Sequence, residues 1–145
     1  MNYQDIALLG NDEVTYRLRD FFGKKVVLYF YPKDNTEGCT LEAKDFTALK
    51  AEYRQKGYQI IGVSADSVQS HQSFCTSQNL DLLLLSDPDL ALIHAFDVFR
   101  EKSMYGKTYM GIERSTFVID ETGTVVRELR KVSAKNHASS LLETL

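Results

Sequence analysis

Two short β-type runs, residues 25–31 (KVVLYFY) and 58–63 (YQIIGV), most constrain what this chain can fold into. Both are rich in branched and aromatic side chains and apolar on neighbouring positions, and both are too short for a helix, as expected of strands covered on two faces. Pro32 stops the first. Between them Cys39, Ala43, Phe46, Leu49 and Tyr53 recur at helical spacing, and Gly57 ends that stretch. A strand, a helix and a second strand form a crossover that is nearly always right-handed and sets both strands parallel in one sheet.

The remaining punctuation extends that unit. Residues 6–9 and 14–16 flank Gly10, Asn11 and Asp12, which predicts a small N-terminal β-hairpin. Residues 115–120 (STFVID) and 124–129 (TVVREL), joined by Glu121, Thr122 and Gly123, form a hairpin that closes the sheet antiparallel. Residues 81–85 (DLLLL) read equally as an extended segment or the approach to a helix. Asp87, Pro88 and Asp89 mark a turn, with a helix expected over 88–96. The serine-rich stretch 67–79 carries only Val68, Phe74 and Cys75 as apolar residues, which predicts a weakly held surface helix. Ala138, Leu141, Leu142 and Leu145 give a closing helix, about residues 135–145, an apolar side. The expected architecture is a three-layer α/β domain spanning 1–145, with a central mixed sheet flanked by helices.

At 145 residues and 43% hydrophobic the chain can build a core without covalent staples. With 17 Lys plus Arg against 20 Asp plus Glu, the net charge of −3 lacks the basic excess of a general nucleic-acid binder. The longest fully apolar run, 26–31, is far below the roughly 20 residues of a membrane span, and MNYQDIALLGNDEV lacks the features of a secretion signal. No membrane partner and a cytoplasmic location are expected, and nothing demands more than a monomer. A reducing compartment makes a permanent bridge between Cys39 and Cys75 unusual, so the two cysteines are either buried filler or chemistry. There is no CxxC, which argues against a dithiol reductase.

Chemistry is favoured at Cys39. It falls within the first turn of the crossover helix, where unpaired N–H groups and the positive end of the helix dipole favour the thiolate, the reactive form. Thr36 can cap that helix and turn a hydroxyl toward the sulfur. Pro32 ends the strand and, having no N–H, would shield one side of the sulfur. Glu42, three residues on, makes sense beside a thiolate only with a cation between them, and Arg114, just before the STFVID strand, is the expected cation. His71 lies four residues before Cys75 on one helix face, but no second pair completes a metal site. His71, His94 and His137 are therefore expected as ordinary surface histidines. Tyr105, Tyr109 and Met110 either line an entrance or pack the segment before Arg114, packing being the expectation.

The run VVLYFYPKDNTEGCTLEA (26–43), with Pro32, Thr36 and Cys39 spaced as Pro-x-x-x-Thr-x-x-Cys, resembles the active-site segment of peroxiredoxins. SMYGKTYMGIERSTFVID (103–120) is similar to a later segment of the same proteins, and together they point to the peroxiredoxin Q, or bacterioferritin comigratory protein, branch. The resemblance implies a thioredoxin-like fold and a thiol-dependent peroxidase acting on hydrogen peroxide and organic hydroperoxides without cofactor or metal. It places Cys39 as the attacking residue, with Pro32, Thr36 and Arg114 completing the site and Glu42 nearby. Glu37 departs from a usual proline, and Lys44 stands where many members have a second cysteine. Another subset keeps that partner on the next helix, where Cys75 falls. The implied cycle forms a sulfenic acid on Cys39, condenses it with Cys75 to a disulfide, and returns to thiols through thioredoxin or a similar dithiol. The 67–79 helix would open to allow the bond. A one-cysteine peroxidase using an external thiol, and a redox-inert binding module on the same scaffold, are the alternatives.

Overall fold

The computed structural model describes residues 2–145. In chain order its elements are β1 (Leu8–Gly10), β2 (Thr15–Tyr16), β3 (Lys25–Phe30), α1 (Glu37–Ala48), α2 (Lys50–Gln55), β4 (Tyr58–Ser64), α3 (Val68–Gln78), β5 (Leu83–Ser86), α4 (Ala91–Ala95), β6 (Phe99–Met104), β7 (Lys107–Ile112), β8 (Ser115–Ile119), β9 (Val125–Leu129) and α5 (His137–Glu143). Seven strands make one sheet in the order β2-β1-β5-β4-β3-β8-β9. β3, β4 and β5 run parallel to one another, while β8 lies antiparallel to β3, and β1 antiparallel to β5.

The period of two along β3 separates the two cores. Val26, Leu28 and Phe30 point to a layer completed by Ile61, Val63, Leu85, Leu92, Ile93, Phe96 and Phe117. Val27, Tyr29 and the following Tyr31 point to the opposite layer, with Cys39, Ala43, Phe46, Tyr53 and Phe74 from α1, α2 and α3 and Ala138 and Leu141 from α5. Burial on both faces explains why β3 reads as an unbroken apolar run. Gly62 in β4 has a packing reason: a methyl group there would come within 2.9 Å of the Tyr29 ring and 2.7 Å of Leu84.

The expected crossover, N-terminal hairpin and closing β8–β9 hairpin are all present, and the three-layer α/β architecture is that of a thioredoxin-like fold. Several local expectations change. The crossover helix divides at Leu49, whose φ of −100° and ψ of 6° leave helical geometry. Residues 83–86 are extended, because pairing with β4 resolves a leucine run whose periodicity was ambiguous. The helix expected over 88–96 spans only Ala91–Ala95: Leu90 takes a left-handed conformation, and the Asp87 carboxylate accepts from the N–H groups of Ala91 and Ile93. α3 is not a plain surface helix, since His71 and Phe74 are fully buried, Ser67 caps its start and Asn79 closes it in a left-handed turn. β6 and β7 form a separate hairpin that was not foreseen, turning at Tyr105 and Gly106, both at positive φ. Tyr105, Tyr109 and Met110 on it are exposed rather than packed, Tyr105 to 96%. Among the described residues, no helix is long and apolar enough to cross a membrane.

Candidate active site

The strand, loop and helix that follow one another as β3, residues 31–36 and α1 carry the site. Tyr31 continues the β3 pairing, its N–H donating to Val63 O at 3.1 Å, and the half-buried Pro32 turns the chain off the sheet. Thr36 sits at the N-cap position of α1, where its carbonyl accepts the first helical hydrogen bond, from Thr40 N. Its exposed hydroxyl does not cap the helix as expected; it donates to Lys33 O at 2.9 Å and so braces the loop. Cys39 is the third residue of α1 and only 1% exposed.

Arg114, in the link between β7 and β8, reaches this turn from the neighbouring strand as expected. Its Nη2 donates to Cys39 Sγ at 3.4 Å, and its Nη1 donates to Glu42 Oε1 at 2.6 Å. The planar fork thus joins sulfur and carboxylate through two of its donors. Burial pushes the Glu42 carboxyl up to about 7, although Arg114 opposes that shift. Among the described residues, the second oxygen, Oε2, is buried with no hydrogen-bond partner, as is the Tyr29 hydroxyl. Removing the carboxyl group from water therefore outweighs the single charge-assisted bond it gains.

Two residues near the site carry no signal of their own in the sequence. Gly38 leaves the guanidinium its place: a methyl group there would stand 3.1 Å from Arg114 Nη2. The chain shows only a small residue next to a candidate nucleophile, not its reason, a close approach from a remote strand. Lys102 on β6 is half-buried, and burial together with the Arg114 charge pushes its ammonium down, while Cys39 opposes that shift. Nothing in its exposed, unpatterned strand announces it.

Cys75 lies on α3, half-buried, and is not bonded to Cys39. Its Sγ accepts from Asn11 Nδ2 at 3.4 Å. Burial pushes the Cys75 thiol up; Asn11 opposes the shift and Asp34 adds to it. Asn11 also holds β5, donating to Leu82 O at 3.1 Å and accepting from Leu84 N at 3.1 Å. Two of the three histidines are not surface residues. His71 is fully buried, with Asp34 and Leu85 O as partners, and His137 is buried against Thr116 Oγ1 at 2.8 Å. Only His94 is exposed as expected.

A thioredoxin-like sheet, with a sheltered cysteine in the first turn of the helix after β3 and a guanidinium on its sulfur, defines the class: a thiol enzyme. Residues 2–128 match the AhpC/TSA family, and the chain is a member of it, a peroxiredoxin of the bacterioferritin comigratory protein type. It is 49% identical over 140 residues to peroxiredoxin Bcp of Xanthomonas campestris, covering 97% of this chain and 86% of that protein. With peroxiredoxin Bcp of Bacillus subtilis it shares 48% over 141 residues, covering 97% and 90%. Among solved structures, the Xanthomonas campestris bacterioferritin comigratory protein superposes with a TM-score of 0.93 at 46% identity, over 98% of this chain and 90% of that one. The chain is thus an oxidoreductase with thiol peroxidase activity.

Proposed function

We propose that Cys39 is the residue that attacks peroxide and Cys75 the one that resolves the product. The observation that carries this reading is the Arg114 fork, with one nitrogen on the Cys39 sulfur and another on Glu42. The Cys39 thiolate attacks the terminal oxygen of the peroxide, the O–O bond breaks, and the departing alkoxide or hydroxide takes a proton to leave as alcohol or water. Arg114 faces the place where negative charge builds as that bond breaks, and the backbone N–H groups opening α1 add to it. Thr36 and Pro32 hold the loop that presents the sulfur, while Glu42 fixes the guanidinium. Cys39 is left as a sulfenic acid, and Cys75 condenses with it, releasing water and leaving a disulfide.

A dithiol of the thioredoxin type returns both cysteines to thiols, with the single chain 1–145 acting as one unit. Substrates include organic hydroperoxides as well as hydrogen peroxide; the Xanthomonas campestris relative is described as reducing alkyl peroxides. The test follows peroxide consumption coupled to thioredoxin. Cys39→Ser is expected to abolish turnover, and Cys75→Ser to consume about one peroxide per chain and then stall without an external thiol. Undiminished steady turnover in Cys75→Ser would remove that residue from the cycle.

A further inference from the structure

The loop that presents Cys39 and the helix that carries Cys75 are tied together by one buried cluster. His71 Nδ1 lies 2.8 Å from Asp34 Oδ2, and His71 Nε2 lies 3.0 Å from Leu85 O. The Ser70 hydroxyl donates to Asp34 Oδ2 at 2.8 Å and the Tyr31 hydroxyl donates to Asp34 Oδ1 at 2.6 Å. Asp34 N donates to Asp66 Oδ2 at 2.8 Å, an oxygen that also accepts from the Ser64 hydroxyl at 2.7 Å. Asp34 and His71 are both buried. Asp34, Asp66 and His71 bring possible ligand atoms within 4.8 Å of one another, but the inward-pointing donors of Tyr31, Ser64, Ser70 and the Asp34 N–H already occupy these carboxylates. This is a protein-satisfied knot rather than a cation site.

Its place in the chain gives it a consequence. Asp34 stands in the loop two residues before the N-cap Thr36, and His71 stands one helical turn before Cys75 on α3. The sulfurs themselves have separate partners, Arg114 for Cys39 and Asn11 for Cys75, and are not bonded to each other, so forming the disulfide gives up both of those contacts. While the knot stays dry it is costly to open, because parting Asp34 from His71 leaves a buried carboxylate and a buried imidazole each one hydrogen-bond partner short. Once the first turn of α1 rearranges, Asp34 shifts with its loop and water reaches the cluster, so that cost falls. The contact is then either made or hydrated.

We infer that the Asp34–His71 contact is a latch that keeps α3 folded while Cys39 is a thiol and lets it open once the Cys39 loop rearranges. Asp34 and His71 are then positioning residues for the resolving step. The inference rests on the assignment of Cys39 and Cys75 above. In that step the Cys75 thiol forms an S–S bond with the Cys39 sulfenic acid, the S–OH bond breaks, and hydroxide leaves with the Cys75 proton as water; no further oxidant is needed.

The experiment measures the peroxide step and the disulfide step separately by stopped flow, with mass spectrometry of the product, in wild type, His71→Leu, His71→Asn and Ser70→Ala. Asn keeps an amide N–H near the position of Nδ1, and Ser70→Ala removes one donor at small risk to folding. The peroxide step is expected to stay within about twofold of wild type. Disulfide formation should be about tenfold faster in His71→Leu, the factor set by one hydrogen bond to a charged group, faster by a smaller factor in Ser70→Ala, and near wild type in His71→Asn. Amides 68–78 of the dithiol form should exchange hydrogen faster in the same order. Unchanged disulfide rates, or an equal slowing of both steps, would overturn the latch while leaving the cysteine assignment standing. Failure of wild type to form a Cys39–Cys75 bond would overturn the assignment and the latch with it.

Discussion

Replacing Glu42 by Gln isolates a conflict that the site holds in balance. Glu42 is fully buried, and burial raises its carboxyl from 4.5 to about 7 against the pull of Arg114 at 2.6 Å. The sign follows from proton counting. Below about pH 4.5 the folded and unfolded chains both hold the proton; between there and about 7 only the folded chain does, so stability falls as pH rises; above 7 neither holds it. At about 1.4 kcal/mol per pH unit, the full loss is roughly 3 kcal/mol. Gln has the same shape and no proton to lose, so the difference between the two proteins cancels the titrating groups that do not share Arg114 with Glu42. Urea unfolding of both, under reducing conditions and from about pH 4.5 to about pH 8, is expected to show Gln gaining on Glu by roughly 3 kcal/mol. The gain should level off above neutrality. A pH-independent difference would show that the Arg114 ion pair cancels the effect of burial; a difference of opposite slope would show that the ion pair outweighs desolvation.

Arg114→Met removes the cation from the Cys39 sulfur and should lower the second-order rate with hydrogen peroxide by about 10²–10³, read by stopped flow under single-turnover conditions. Gly38→Ala crowds the guanidinium at 3.1 Å and should slow the same step by a smaller factor, with little change in the urea midpoint. Gly62→Ala should do the reverse. Its methyl meets Tyr29 and Leu84 below 3.0 Å, so unfolding experiments should show a loss of about 1–3 kcal/mol from overpacking, with the peroxide step retained in the folded fraction.

The central fold was legible because its determinants are local and unopposed. β3 announces itself through burial on two faces, and α1 through a stripe of core residues that begins at Cys39. The proposed site was legible in part for the same reason, since Pro32, Thr36, Cys39 and Glu42 lie within one strand–loop–helix unit. Arg114 was reached by asking which cation could reconcile Glu42 with a thiolate. The misses share a different character. β6 and β7 expose most of their side chains, so no apolar period marks them, and two positive-φ residues make the turn. α3 reads as feeble because its serines, Thr76 and Asn79 are mediocre helix formers and only Val68, Phe74 and Cys75 are apolar. Ser70 and His71 instead spend their polar groups on Asp34, a partner 36 and 37 residues away. Thr36 donates its hydroxyl to Lys33 O instead of accepting from an N–H of α1, a difference that sequence spacing does not reveal.

Trapping the first product tests the account most directly. The Cys75→Ser protein, mixed with one equivalent of hydrogen peroxide and a sulfenic-acid-specific nucleophile, then digested and weighed by mass spectrometry, should carry the adduct on Cys39 and nowhere else. Peroxide that disappears while Cys39 remains an unmodified thiol would contradict it.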